Sequence, residues 1–436
     1  MSKKILTRRS FLALSSTVSA SALAACVAPA APAPAAVVAA APTATVPAAG
    51  GKVVKIGVIA PLTGGAAADG EEQVRGAQMA VKDLNAAGGI NGYTFEVVSG
   101  DTKDMNADAV LSAIRKLTSD SAVKAMITGY ASTSNFEIQN MADLKMPYLI
   151  GANAAQTRDI IAKSPEAYPT VWSLVPSYDA YETELPRLME QWAKDGKIKL
   201  NNRKVAIVTS DNPYSKTISD GLKKHFAEAN WTVTVDEMVP MGEVLDWRTI
   251  IAKIRRDPPD LVVNTDYLVA NEAAFLEQFL EDPTPSYLFM QYGPSVPEFV
   301  ELTKEKSTGV LYNLLGGMVQ SPKNQLATDF QAKFNKEYGV ETGTYGYTVY
   351  TSVMMYADAL KKVGDPADTL AIGKALGESS TVAAIGKIEF DPATHLAKQG
   401  DDYLPIQFYQ IWDGERVLIH PAKYATGEIQ PAPWIK

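Results

Sequence analysis

The chain has 436 residues, with 49 acidic and 41 basic side chains, a formal net charge of −8 and a single cysteine. This acidic balance, without a basic patch, argues against nucleic acid as a partner, and one cysteine excludes an internal disulfide. The residues that follow the N-terminal region are more numerous than a domain with a single hydrophobic core usually contains, so two domains are expected.

A short, basic start and an uncharged apolar stretch open the chain. The paired Arg8 and Arg9, followed by Ser-Phe-Leu, resemble a twin-arginine export signal, and the run Leu-Ala-Ala before Cys26 is similar to a lipobox. We therefore expect residues 1–25 to be a signal peptide, and Cys26 to be lipidated on the outer face of the cytoplasmic membrane. The general secretory route stays open as the alternative for export.

Residues 26–51 have the composition of a tether. Beyond Cys26 they are almost wholly Ala, Pro, Val, Thr and Gly, and no charged residue occurs between Arg9 and Lys52. The prolines interrupt any helix, which predicts a disordered linker of roughly 75 Å when extended at about 3.1 Å per residue. Without the four basic residues of 1–25, 37 basic residues face 49 acidic ones, so the mature chain is strongly acidic.

From Lys52 onward, short apolar runs alternate with amphipathic helical patterns, as in a parallel sheet covered on both faces. Strands of a first series are predicted at 53–61, 93–99, 123–128 and 147–150. Those of a second series, after Pro176, are predicted at 204–209, 232–239, 261–265, 287–291 and 309–315. Helices are then predicted at 324–338, 347–362 and 370–376, and strands return at 387–390 and 405–412. The pattern predicts two doubly wound α/β units.

Six sequence segments occur in this order along the two units: VKIGVIAPLTGG, RGAQMAVKDLNAAGGINGYTFEVV, YASTS, MPYLIGANAA, IVTSDNPYS and GKIEFDP. Over the whole mature chain they resemble the substrate-binding lipoproteins of branched-chain amino acid and amide ABC importers. The resemblance implies the type I periplasmic binding protein fold, with two Rossmann-like lobes, three crossovers and closure over a ligand. It places the crossovers near 171–176, 313–318 and 385–405. Lobe 1 is then 52–173 plus 319–384, and lobe 2 is 174–318 plus 385–436.

Ligands of open α/β sheets bind where strands end and helices begin, which selects loops of the first lobe. Ser132 and Thr133 follow one strand, and the resemblance marks Ser132 as a ligand contact; an ordinary helix cap is the alternative. Asn153 and Ala155 follow the next strand, although amino-acid binders of the family tend to carry threonine at the position of Ala155. Asp69 stands where many relatives have a tyrosine, and it is either a ligand contact or a helix N-cap.

The second lobe offers tyrosines at its strand ends. Tyr214 matches the family's cleft tyrosine, and Tyr267 and Tyr292 follow two further strands. Tyr345 begins a late helix that the resemblance assigns to the first lobe. An aromatic ring with a hydroxyl suits a small amphipathic ligand. The acidic residue that amino-acid binders use for the α-amine is missing near Tyr292. Asp266 is the candidate replacement; otherwise the ligand has no ammonium.

Enzyme signatures are missing from the sequence. It has no zinc-protease, nucleophile-elbow, phosphate-loop or dinucleotide motif, and its three histidines are isolated, so we expect no enzyme activity, cofactor or metal. The predicted function is a monomeric, lipid-anchored receptor that delivers a small polar ligand, foremost a branched-chain or other amino acid, to an ABC permease. Alternatives are an amide, urea-like or aromatic-acid ligand, a ligand-presenting sensor subunit, and a surface lipoprotein hydrolase.

Overall fold

Two sheets with helices on both faces organise the protein. The computed structural model describes residues 52–64, 66–103, 105–131, 135–153 and 155–435, which belong to one compact unit. The predicted signal peptide, tether and lipidation site, with Arg8, Arg9 and Cys26, lie outside the described residues. No helix in the described ranges is long and apolar enough to cross a membrane.

The first sheet is wholly parallel, in the order β2-β1-β3-β4-β5. Its strands are β1 (Lys52–Ala60), β2 (Tyr93–Asp101), β3 (Val123–Thr128), β4 (Tyr148–Ile150) and β5 (Val171–Ser173). The connecting helices are α1 (Ala67–Ala86), α2 (Ala107–Thr118), α3 (Phe136–Asp143) and α4 (Ala155–Ala162). The second half of β1, from Ile56 to Ala60, is apolar on both faces because Val58 packs into one core and Ile59 into the core on the opposite face.

The second sheet has the order β14-β13-β10-β9-β8-β6-β7, and only β13 and β14 run antiparallel to their neighbours. Its strands are β6 (Lys204–Ser210), β7 (Thr232–Val239), β8 (Leu261–Asn264), β9 (Tyr287–Met290), β10 (Leu311–Leu314), β13 (Gln407–Trp412) and β14 (Glu415–His420). Its helices are α5 (Tyr181–Lys194), α6 (Pro213–Glu228), α7 (Arg248–Arg256), α8 (Val269–Leu280) and α9 (Pro297–Thr303). The predicted doubly wound α/β class is therefore confirmed.

Three late helices return to the first sheet: α10 (Gln325–Tyr338), α11 (Tyr345–Val363) and α12 (Thr369–Gly377). α11 lies so close to α1 that a Cβ on Gly76 would stand 2.0 Å from the carbonyl oxygen of Gly346. Glycine at this point lets the two helix backbones touch, which fixes the start of α11 beside the middle of α1.

The last change of lobe differs from the expected boundary. A hairpin of β11 (Ser380–Ala383) and β12 (Gly386–Glu389) and the segment after it pack in the first core, through Ile388 and Leu404. Ile406 is the first residue thereafter to pack in the second core. We expected 385–436 to belong to the second lobe, but the apolar side chains of 385–404 are buried against the first sheet, so the chain changes core at Pro405.

Candidate functional site

Tyrosines from both sheets converge at the carboxyl ends of the strands. From the first sheet, Tyr130 follows β3 and meets Tyr345 of α11 edge to face, with ring centroids 5.0 Å apart. From the second sheet, Tyr214 of α6 contacts Tyr178 at 5.0 Å and Tyr267 at 6.2 Å, in both cases edge to face. These rings form an aromatic wall on each side of the space between the sheets.

Two further tyrosines complete the group. Tyr181 stacks on Tyr178 at 6.2 Å, and its hydroxyl accepts a hydrogen bond of 2.7 Å from the backbone N–H of Leu315. Tyr292 follows β9 with a positive φ of 75°. We call Tyr130, Tyr178, Tyr181, Tyr214, Tyr267, Tyr292 and Tyr345 the tyrosine cluster.

The cluster hydroxyls stay neutral. Burial raises the pKa of Tyr214, Tyr292 and Tyr345 well above the usual tyrosine value, and the neighbouring phenols add to the effect. A neutral hydroxyl both donates and accepts hydrogen bonds. The cluster therefore presents apolar rings together with uncharged hydrogen-bonding groups.

One carboxylate, that of Asp69, faces this cluster across the space between the sheets. Asp69 lies in the first turn of α1, and the Tyr292 hydroxyl lies within hydrogen-bonding reach of its side chain. Burial raises the pKa of Asp69 to about 7, with a further contribution from nearby Glu72, while the Tyr292 hydroxyl acts in the opposite direction. The N-cap of α1 is Ala66, so Asp69 does not serve as the cap that we considered as the alternative.

Glu72, one turn further along α1, is hydrogen-bonded to the start of α11. Its carboxylate accepts hydrogen bonds from the Thr342 hydroxyl at 2.7 Å and from the backbone N–H of Gly346 at 2.6 Å. These contacts place it at the free N–H groups that begin α11. Glu72 therefore holds Tyr345 in position, whereas Asp69 has no such backbone partners among the groups that shift its pKa.

The Asp266 carboxylate is engaged by its own loop and by α8. Asp266 is fully buried, and its carboxylate oxygens accept hydrogen bonds from the backbone N–H of Leu268 at 2.9 Å and from the amide of Asn271 at 2.8 Å. Burial raises its pKa, and these hydrogen bonds oppose the rise. The carboxylate is committed to the start of α8, which does not fit our expectation that it receives a ligand ammonium.

Asn153 is engaged within the protein through its amide nitrogen, whereas its amide oxygen has no hydrogen-bond partner among the described residues. Its amide donates to the Ser173 hydroxyl at 2.6 Å and is 3.4 Å from the carbonyl oxygen of Val175, so it braces the first crossover. Ala155 is the first residue of α4, and Ser132 and Thr133 lie outside the described residues. Of the predicted contacts, the structure brings together Asp69, Tyr214, Tyr267, Tyr292 and Tyr345.

Sequence reasoning missed three members of the cluster: Tyr130, Tyr178 and Tyr181. Tyr130 was visible as the second residue after β3, at the same kind of strand end that selected the other candidates. Tyr178 and Tyr181 follow the first crossover instead of a strand end, so no local pattern marked them. Their position becomes evident only when α5 packs beside α6.

The electrostatics of the site favour a cation. The groups that shift the pKa of Asp69 are Glu72 and Tyr292, with no basic side chain among them. A buried carboxylate without a cationic partner is unfavourable, so a positively charged ligand group at this point is stabilised. Within the described ranges no three His, Cys, Asp or Glu side chains are arranged to hold a metal ion.

The family model for periplasmic binding proteins matches residues 53–411. The chain belongs to this family. Among its relatives, the Leu/Ile/Val-binding protein homolog 7 of Brucella abortus is 24% identical over 393 residues, covering 86% of this chain and 94% of the relative. The Leu/Ile/Val-binding protein BraC3 of Rhizobium johnstonii is 24% identical over 358 residues, covering 79% of this chain and 89% of that protein.

Solved structures agree with this periplasmic binding protein fold. A putative branched-chain amino acid ABC transporter from Silicibacter pomeroyi superimposes with a TM-score of 0.82 at 28% identity, covering 88% of this chain and 100% of that one. The substrate-binding protein LivJ of Streptococcus pneumoniae, solved with isoleucine, gives 0.68 at 22% identity, covering 84% and 98%. The predicted family and type I fold are confirmed. The family consists of extracytoplasmic solute-binding receptors and is not a family of enzymes.

Proposed function

We propose that this periplasmic binding protein is an exported, lipid-anchored receptor that closes over a small amphipathic ligand and delivers it to an ABC permease. Its foremost ligand class is a branched-chain or other α-amino acid. The names of its Brucella and Rhizobium relatives support this class, because both are described as Leu/Ile/Val-binding proteins.

The observation that carries the proposal is the Asp69 carboxylate beside the tyrosine cluster. A ligand ammonium placed there gains a charge-assisted hydrogen bond from Asp69 and favourable contact with the faces of aromatic rings. Tyr292, from the second sheet, and Asp69, from the first, already lie beside one another. The ammonium site therefore lies where both lobes contribute.

Closure and ligand binding are coupled through the same carboxylate. When the lobes meet, Asp69 loses water, and the rise of its pKa to about 7 expresses the cost of keeping it charged there. A ligand ammonium beside Asp69 offsets that cost. Without a ligand, the carboxylate avoids the cost by taking up a proton. The charge of Asp69 therefore opposes closure of the empty cleft and favours closure over a cationic ligand.

The ligand carboxylate is proposed to lie at the opposite end of the cleft. α4 begins at Ala155, directly after the loop that follows β4, and α3 begins shortly after Ser132 and Thr133. Free backbone N–H groups at helix starts, together with hydroxyls, bind carboxylates. Ser132 and Thr133 remain our candidates for those hydroxyl contacts.

Anchoring is proposed from the N-terminal sequence. Diacylglyceryl-type modification of Cys26 would supply more than one acyl chain, which stable membrane attachment requires. The 26–51 tether would then hold a monomeric receptor within reach of its permease. Arg8 and Arg9 would direct export through the twin-arginine route.

A ligand screen tests the function. The mature protein carrying Cys26→Ser is heated with each α-amino acid, and a true ligand at 100 times its dissociation constant adds about 2.7 kcal/mol to the free energy of unfolding. The matched control for leucine is its α-keto acid, which keeps the side chain and carboxylate but lacks the ammonium. Stabilisation by amides, urea or aromatic acids, with none by amino acids, would overturn the amino-acid assignment.

A further inference from the structure

Two buried amide side chains lie beneath the tyrosine cluster without partners. Gln291 directly follows β9, Asn313 lies in β10, and both are 0% exposed. Neither the nitrogen nor the oxygen of either amide has a hydrogen-bond partner among the described residues. Because buried polar side chains in native proteins are almost always paired, four unpaired atoms on neighbouring strands require an explanation.

The two amides stand side by side on one face of the sheet. Leu311 of β10 is paired in register with Phe289 of β9, so two residues further along Asn313 is opposite Gln291. Phe289 and Leu311 pack in the same core as Tyr181, and alternation places the amides on that face as well. We call Gln291 and Asn313 the amide pair.

The cluster tyrosines cover the amide pair. The Tyr181 hydroxyl is bound to the backbone N–H of Leu315, two residues beyond Asn313. The Gln291 side chain lies near the Tyr214 hydroxyl without forming a well-directed hydrogen bond to it. The residue after Gln291 is Tyr292, which reaches Asp69. The amide pair is thus the floor of the same cleft in which Asp69 is the cation-binding end.

The chemistry of the amide pair selects an uncharged group. Each amide offers donors and an acceptor but no charge. The buried carboxylate of Glu272 lies at the backbone N–H groups of Gln291 and Gly293, but it is carried by α8 together with Phe275, which packs in the core on the opposite face of the sheet. The two amides themselves offer a charged ligand group no counter-ion, whereas a carboxamide or hydroxyl would find both donors and acceptors there.

We propose that the ligand of this receptor carries an uncharged hydrogen-bonding group on its side chain, a carboxamide or hydroxyl, which pairs with Gln291 and Asn313. This inference rests on the proposed function and narrows it. The favoured ligands are polar, uncharged amino acids, in contrast to the purely aliphatic ones named for the relatives. A leucine side chain would leave the amide pair unsatisfied, and a site built to hydrogen-bond a ligand discriminates strongly against an analogue that lacks the polar group.

Calorimetric titration of the mature Cys26→Ser protein with asparagine, glutamine and leucine tests the inference. Asparagine and leucine have nearly the same shape, so the ratio of their affinities measures the effect of the ligand carboxamide alone. We expect asparagine or glutamine, whichever binds better, to bind about 10- to 100-fold more tightly than leucine. Asn313→Leu and Gln291→Met should each lower that ratio about tenfold or more, with the melting temperature of the empty protein unchanged or higher, because apolar isosteres remove unpaired groups.

Gln410→Met is the matched control. Gln410 is another buried amide of the second sheet, but Gln430 pairs with it through both its carbonyl and its N–H. Its replacement should lower stability and leave the affinity ratio unchanged. The inference fails if leucine binds as tightly as asparagine and glutamine. It also fails if neither Asn313→Leu nor Gln291→Met alters the ratio of these affinities, which would mean that the amide pair is hydrogen-bonded only by water. Failure of every amino acid to bind would overturn the proposed function as well.

Discussion

Replacing Asp69 by asparagine removes the charge at the proposed cation-binding end of the cleft while keeping the side-chain shape. Burial raises the pKa of this carboxyl from 3.8 to about 7. At about 1.36 kcal/mol per pH unit, that difference of about 3 pH units sets an upper limit of about 4 kcal/mol on the cost of the charge. Since water still reaches this half-buried side chain, we expect Asp69→Asn to stabilise the empty protein by about 2 kcal/mol at about pH 8.

The sign of the effect follows from the raised pKa. Below the unfolded value of 3.8 the carboxyl is protonated in both states and the penalty is absent. It grows as the pH rises through this range and is complete above about pH 7. The stability difference between the variant and the natural protein should therefore appear only as the pH is raised, when chemical denaturation is followed at about pH 4 and about pH 8.

Ligand binding should respond in the opposite direction. Asp69→Asn should weaken binding of an amino acid by about 2–5 kcal/mol, since it removes the partner of a buried ammonium. In the natural protein the affinity should fall about tenfold per pH unit below about pH 7, because Asp69 must lose its proton first, and in the variant it should be flat. Titration calorimetry over this pH range measures both quantities.

Glu71→Gln is the control, because Glu71 sits at the same helix start but is exposed and pairs with Arg75. Removing this surface ion pair should change stability and affinity by less than about 1 kcal/mol. The reasoning is refuted if Asp69→Asn neither stabilises the empty protein at high pH nor weakens amino-acid binding, or if Glu71→Gln produces the same effects.

Asp266→Ala should lower the free energy of unfolding by about 1–2 kcal/mol, since the carboxylate accepts hydrogen bonds from Leu268 and Asn271, and leave ligand affinity unchanged in the same titration. Lost affinity with stability intact would instead make Asp266 the ammonium partner. Cys26→Ser should release the protein from the membrane fraction, and mass spectrometry showing an unmodified N-terminus elsewhere would contradict the anchor. Changing Arg8 and Arg9 to lysine should block export by the twin-arginine route, and unaltered secretion would indicate the general route.

Sequence patterns determined the architecture because the relevant signals are local. Continuous apolar runs marked strands buried on both faces, and the rule that ligands bind at strand ends selected Tyr214, Tyr267 and Tyr292. The β13–β14 hairpin was missed, although Asp413-Gly414, with φ of 50° and 80°, is a strong local turn signal. The assignment of 385–404 to a lobe carried no comparable signal.

Only the tertiary structure decided which polar side chains lie at the proposed ligand site. Asp69 and Asp266 look alike in sequence, each an acid between a strand and a helix. Asp266 finds partners within five residues of itself, so its oxygens are consumed locally. Asp69 meets Tyr292, from the other sheet, and so becomes part of the site. The amide pair depends likewise on the register of β9 and β10. Such neighbours are set by packing between distant segments, which periodicity within one segment cannot encode.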